Sequence, residues 1–293
     1  MLTAVRGASA ITFTVGVLLL AAACASSPQT PNADSTTPAT VTGAATTSSA
    51  SGTPTATAET TSTPGTSTAT ATRTPAPAAP IPSSLVGHVV SRIPTSRRVV
   101  ALTFDAGANG DGVNSILATL AKEKVAATFY LTGNFVDSFP KLAVRMSGAG
   151  RLGNHTTSHP HLPTLTDAQV RTEVTSAQTT ILRVTGEDPR PLFRFPFGDS
   201  GPRDLHLVND LGYIAVGWTV DTLGWQGTSG GRSVNSVVQR VLAAATQGEI
   251  VLMHVGSNPT DHSTLDADAL PRVISGLRAA GYSFATLDAL GAG

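Results

Sequence analysis

"RVVALTFDAGANGDGVNSILATLAKEK", residues 98 to 124, holds one complete structural step. The run "RVVALTF", rich in β-branched and aromatic residues, reads as a buried strand. Glycines at 107, 110 and 112, with Asn109 and Asp111 between them, make a loop, because glycine, asparagine and aspartate favour turn backbone. "GVNSILATLAKEK" then spaces Val113, Ile116, Leu117 and Leu120 for one face of a helix. Strand, loop, helix: Asp105 stands at the point where the strand gives way to the loop.

The step recurs. "AATFYLTG" (126–133) reads as a strand, "PKLAVRMSGAG" (140–150) as a helix ended by glycine, and "TDAQVRTEVTSAQTTILRVTG" (166–186) as a long helix with Thr166 as N-cap. "PLFRFPF" (191–197) is a strand end, "RDLHLVNDLG" (203–212) a helix and "YIAVGWTVD" (213–221) a strand. "SVNSVVQRVLAAATQG" (233–248) is a helix, "EIVLMHV" (249–255) a strand, "DADALPRVISGLRAAG" (266–281) a helix and "YSFATLDAL" (282–290) the closing piece. Strands alternating with helices imply a parallel sheet of the α/β class. Without a glycine-rich phosphate loop, this many steps fit a closed or nearly closed barrel better than a nucleotide fold.

The chain ahead of this domain has another character. Of 293 residues, those from Cys24 to about Pro82 are nearly all Ser, Thr, Ala, Pro and Gly. With so little apolar surface they cannot offset an ordering entropy of roughly 1–2 kcal/mol per residue. They read as a disordered, solvated stalk of the kind often O-glycosylated. Before them, Arg6, the apolar run "ITFTVGVLLLAAA" and Cys24 form an export signal. That segment resembles a bacterial lipoprotein signal, with Cys24 as the lipidated first mature residue; an ordinary signal cut near Ala23 or Ala25 is the alternative. The expected division is thus signal 1–24, linker 25–82 and folded domain 83–293. Cys24 is the only cysteine, so the domain has no disulfide. Formal charge is balanced at zero, with 19 basic and 19 acidic residues and no basic patch interleaved with aromatics, which argues against nucleic acid.

Asp105, His155, His159, Arg194, Asp221 and His254 all fall at or just after the ends of expected strands. In a parallel barrel those ends share one face, where catalytic groups collect. Each residue also has a plain structural role open to it. Asp105 could cap a helix, the histidines could be loop polars, Arg194 could be an ion-pair partner, and Phe197 and Trp225 could fill core. His88, His161, His206 and His262 read as surface or capping groups.

Five short motifs in order carry a family resemblance: "TFDAG", "HTTSH", "RFPFG", "DTLGW" and "LMH". Residues 97 to 290 resemble the polysaccharide deacetylases with a NodB homology domain, carbohydrate esterase family 4. The resemblance implies a distorted (β/α) barrel of seven or eight strands. It implies hydrolysis of an N-acetyl, or O-acetyl, group on a sugar polymer; an anchor and stalk that hold the domain within reach of the wall make peptidoglycan the expected substrate, with a chitin-type oligosaccharide or an O-acetylated polysaccharide as alternatives. Asp105 would be the general base and His254 the general acid. His155 and His159 would ligate a divalent ion, zinc by default, with cobalt or nickel also fitting nitrogen and oxygen donors. Phe197, after Pro196, would lend its backbone N–H to the oxyanion, Arg194 would orient Asp105, and Trp225 and Leu252 would line the acetyl slot.

Two positions depart from the family pattern. The second aspartate of the first motif, usually the third metal ligand, is Ala106; Asp111 could replace it, directly or through water, with Asn109 a weaker substitute and a solvated turn the alternative for Asp111. Gly224 stands where an aspartate tunes the acid histidine, and Asp221 is the candidate to take over. The expectation is an exported, lipid-anchored, monomeric deacetylase of an envelope glycan. The alternatives are a non-catalytic glycan-binding lipoprotein on a degenerate scaffold and a metal-independent amidase of the same fold.

Overall fold

The computed structural model describes residues 77 and 79–290. The expected signal, Cys24 and most of the expected linker lie outside the described residues. The first strand, β1 (Val89–Val90), is short, and β2 (Val99–Ala106) is the longest. Then follow α1 (Val113–Glu123), β3 (Ala127–Leu131), α2 (Gly133–Ser138), α3 (Pro140–Ser147), β4 (Gly150–Asn154) and α4 (Asp167–Thr185). The chain continues through β5 (Leu192–Phe193), α5 (Pro202–Asp210), β6 (Ile214–Val216), β7 (Val220–Asp221) and α6 (Val234–Ala244). It closes with β8 (Glu249–His254), α7 (Leu265–Ala279) and β9 (Ser283–Phe284).

Eight strands lie on one hydrogen-bonded path in the order β1-β6-β5-β4-β3-β2-β8-β7, and β9 adds a ninth beside β2. Every strand pair is parallel, as alternation with helices requires. The count exceeds the expected seven or eight only through the two-residue β9 at the far end of β2, where Val99 pairs with Ser283.

The stretch 213–221, read as one strand, is two: β6 lies second from one end of the path and β7 at the other end. Residues 217–219 cross between them: Gly217 N–H donates to Val90 O and Thr219 N–H to Ile250 O. A Cβ at Gly217 would lie 3.0 Å from Val89 Cγ1 and 3.1 Å from Ser91 Oγ, so the crossing is closely packed there. The expected strand 126–133 also stops early. Thr132 leaves the sheet to cap α2, accepting from Phe135 N–H at 3.1 Å, as N-cap threonines do. Thr166 caps α4 as its sequence foretold, in a reciprocal box with Gln169, and Gly186 ends that helix with φ 79°.

Side chains along β2 alternate between two interiors. Val100, Leu102, Phe104 and Ala106 pack toward the helices, among residues of α1, α6 and α7. Ala101 faces the barrel interior with Tyr130, Leu192, Ile214 and Ile250. Asp105, on the same parity as Ala101 and Thr103, therefore enters the barrel mouth, and Ala106 does not. Among the described residues no helix is long and apolar enough to cross a membrane.

Candidate active site

Asp105, next to last in β2, is the register partner of His254, last in β8. On the other side of β2 it pairs with Tyr130 of β3. His155 follows β4, its N–H donating to Leu131 O, and Arg194 follows β5, its N–H donating to Asn154 O. The ends of β5, β4, β2 and β8, with β3 between β4 and β2, thus bring an acid, two imidazoles and a guanidinium to one rim, as the sequence led us to expect.

Arg194 is wholly buried and uses every face. Nη1 donates to Asp105 Oδ1 at 2.7 Å, Nη2 to Gly217 O at 3.1 Å and Nε to Val216 O at 3.4 Å. Its guanidinium lies 4.1 Å above the centre of the Tyr130 ring. The residue is hydrogen-bonded to Asp105 and also ties β5 to the crossing after β6. Burial pushes the Asp105 carboxyl up, but Arg194, then His155 and His254, outweigh it and hold it below the usual carboxylate range.

His155 Nδ1 lies 2.8 Å from Arg194 O. A carbonyl cannot donate, so Nδ1 carries the hydrogen and Nε2 keeps a lone pair, 3.4 Å from Asp105 Oδ2. Burial lowers the pKa of His155. It also lowers His159, with help from the His155 charge, to about 4. Their rings stand edge to face with centres 4.7 Å apart. Both are neutral at ordinary pH, the state a metal ligand needs.

The pair is not presented by a helix. Thr156 and His159 adopt φ of 68° and 62°, and the turn is fastened from outside. Glu173 of α4 accepts from the N–H groups of Thr157 and Ser158, each at 2.9 Å, and from Ser158 Oγ at 2.8 Å. Asn154 Oδ1 accepts from Thr156 N–H at 2.9 Å. Sequence reading missed Glu173 and Asn154, since a helical glutamate and a strand-end asparagine carry no motif of their own.

Asp111 lies elsewhere. It accepts from Ser257 Oγ at 2.5 Å, and Asn109 holds the same segment through Ser257 N–H at 2.8 Å. The loop 107–112 is thereby bound to the segment after β8. Among the described residues no three His, Cys, Asp or Glu side chains are grouped to hold a metal ion. The donor chemistry at the rim nevertheless suits a cation on two imidazoles: both are neutral, and His155 has its tautomer fixed by a carbonyl, a common backing for a metal ligand.

His254 completes the rim. Its N–H donates to Asp266 Oδ2 at 2.8 Å, and Nδ1 stands 3.8 Å from that oxygen. Burial pulls its pKa down, but Asp266, then Asp105 and Asp221, raise it above the ordinary histidine value. On adjacent strands, the Asp105 carboxyl is thus held below the usual carboxylate range and the His254 imidazole above its ordinary value, pKa values driven apart by their surroundings as in an acid and base pair. Asp221 binds Leu223 N–H at 2.8 Å and Trp225 Nε1 at 3.4 Å, so it braces the tryptophan.

Around the rim, Trp225 is 47% exposed with its ring 6.4 Å from that of His254, and Leu252 is buried beside Asp221 in register. Pro196 is buried; Phe197, 58% exposed at φ 60°, stacks on His161 with ring centres 3.9 Å apart. His161, read as a surface group, so supports the third motif. Beside Phe197 opens a cleft of about 200 Å³ walled by Trp218, Val216, Ser91 and Ser200.

The chain is similar in sequence and fold to known polysaccharide deacetylases. The family model for polysaccharide deacetylase matches residues 92–216. The peptidoglycan-N-acetylglucosamine deacetylase of Bacillus cereus is 31% identical over 198 residues, 67% of this chain and 70% of that protein. The peptidoglycan-N-acetylmuramic acid deacetylase PdaA of Bacillus subtilis is 32% identical over 197 residues, 67% of this chain and 72% of that protein. The solved structure of PdaA, described as a family 4 carbohydrate esterase, superposes with a TM-score of 0.64 at 30% identity, covering 71% of this chain and 87% of that one. A structure from Bacillus anthracis described as a family pseudoenzyme gives a TM-score of 0.63 at 26% identity, covering 70% and 69%.

Proposed function

The chain belongs to the polysaccharide deacetylase family, and from that premise we propose that it removes acetyl groups from N-acetylated sugars of peptidoglycan outside the cytoplasm. The observation that carries the reading is the register pairing of Asp105 with His254, a carboxyl held below its usual pKa beside an imidazole held above its own. The family's relatives named above act on peptidoglycan, and the cleft beside Phe197 and Trp218 offers aromatic faces and hydroxyls suited to a sugar chain. An export signal, a solvated stalk and lipid at Cys24 would hold the domain within reach of the wall.

His155 and His159 would hold a divalent ion, zinc by first preference, with cobalt or nickel as alternatives; when bound it would polarise the acyl oxygen and acidify water. In the chain's own chemistry Asp105 takes a proton from the attacking water, whose oxygen adds to the acyl carbon. The backbone at Phe197 faces the oxygen that becomes negative. His254 then protonates the departing nitrogen as the C–N bond breaks, giving acetate and a free amine. Acid–base help of this kind is worth about 10²–10⁴ in rate.

A second reading has its own observation. Ala106 faces the helix layer and supplies no ligand, and a pseudoenzyme is among the similar folds. That reading is a glycan-binding protein without turnover. Acetate release from N-acetylated peptidoglycan by the purified full chain separates the two. The deacetylase reading expects release that Asp105→Asn and His254→Gln each abolish, and loss of bound metal in His155→Ala. Glycan binding with no acetate from the wild type would establish the second reading instead; release without bound metal would point to a metal-independent amidase.

A further inference from the structure

His254 faces three carboxylates from three elements: Asp105 on β2, Asp221 on β7 and Asp266 on α7. Two of them are committed elsewhere. Asp105 is paired with Arg194, and Asp221 holds Leu223 N–H and the Trp225 indole. Asp266 is 3% exposed and has no other protein group to serve. Its Oδ2 accepts from the backbone N–H of His254, while its Oδ1 and the Nδ1 of His254 are both buried without a hydrogen-bond partner. Nδ1 stands 3.8 Å from Oδ2, beyond hydrogen-bond length, so an unpartnered imidazole nitrogen lies beside a carboxylate with one oxygen unpartnered.

Gly224 explains how the carboxylate fits. A Cβ at that position would collide with Oδ1 of Asp266 and stand 2.6 Å from its Cγ. Any side chain on residue 224 would expel Asp266 from its place. The glycine before Trp225 and the aspartate in the first turn of α7 are therefore one feature: a carboxylate delivered from the helix into space that the loop leaves vacant. Its own helix start favours the charge as well, since negative groups are stabilised at a helix N-terminus.

We propose that Asp266 is the positioning residue for His254, entering from α7 through the space left at Gly224 and holding the imidazole with Nδ1 inward and Nε2 toward the leaving nitrogen. Its catalytic consequence rests on the deacetylase reading; the contact itself does not. Asp266 leads the groups that raise His254 against burial, and Asp221 contributes least. The role expected of Asp221 thus belongs to a residue 12 positions beyond His254.

The test is an NMR titration of the imidazoles in the full chain, with His254 assigned by its loss in His254→Gln, alongside the pH profile of acetate release. Asp266→Asn is expected to lower the His254 midpoint by about one pH unit or more, and to move the alkaline limb of kcat/KM down with it. Asp221→Asn should move both less. An unchanged midpoint in Asp266→Asn overturns the proposal. So does a wild-type midpoint at or below about 6.5, which decides the matter even if the variant does not fold. Should the midpoint fall in Asp266→Asn while the wild type releases no acetate, the positioning stands and the deacetylase reading fails.

Discussion

Arg194 donates to Asp105 across 2.7 Å from a position with no exposure to solvent. A buried guanidinium is costly unless its donors are satisfied, and here three oxygens and an aromatic face do so. The arrangement keeps the carboxylate ionised where burial alone would protonate it.

Replacing Arg194 by methionine should therefore act twice. Leaving Asp105 buried without its partner should destabilise the fold by about 3–5 kcal/mol, read by urea unfolding. In whatever folds, the Asp105 pKa rises, so the acid limb of kcat/KM moves to higher pH. In the wild type the lowered pKa adds stability above the ordinary aspartate value, and that stability is lost as pH falls through the folded value. An unmoved acid limb would show that Arg194 is a strand bridge only.

The histidine turn should depend on a residue that touches neither ring. Glu173 accepts from two backbone N–H groups and one hydroxyl in residues 157–158. Glu173→Ala should weaken zinc uptake by roughly 10–100-fold, the usual cost of losing support behind a ligand. Calorimetric titration of zinc into the metal-stripped full chain measures it; equal affinities would mean that the turn holds itself.

At the opposite end of β8 lies a titrating group with no part in the chemistry. Glu249 is fully buried, neither side-chain oxygen has a partner, and burial raises its pKa to about 7. A raised acid stabilises the fold while protonated. That contribution is complete below the unfolded value and is lost as pH rises through about 7. Its size is about 3 kcal/mol at most. Glu249→Gln should flatten the fall in melting temperature between pH 5 and pH 8; an identical slope in the variant would assign the fall to other groups.

Much of this was legible in the chain, and the rest was hidden for physical reasons. Hydrophobic runs of β2, β3 and β8 announce themselves because both faces of those strands are buried, and the strand-end polar residues then mark the rim. The division of 213–221 was not legible, since Val216 and Val220 are each buried and only the tertiary crossing at Gly217 separates them. Asp266 looked like an ordinary acidic residue in a helix's first turn. Its one signal is the glycine at 224, whose meaning depends on two elements meeting in space. Asp111 shows the converse: loop spacing made it a candidate ligand, and its contacts run to Ser257.

The central claim is that Asp105 and His254 flank one acyl carbon, and a crystal structure of the full chain carrying Asp105→Asn, soaked with an N-acetylglucosamine oligosaccharide, tests it most directly. The account predicts an acetamide on the rim with its carbonyl carbon within about 3.5 Å of the water held at residue 105, and its nitrogen within hydrogen-bond reach of His254 Nε2. A glycan lying in the cleft beside Trp218 with every acetamide turned to solvent would contradict it.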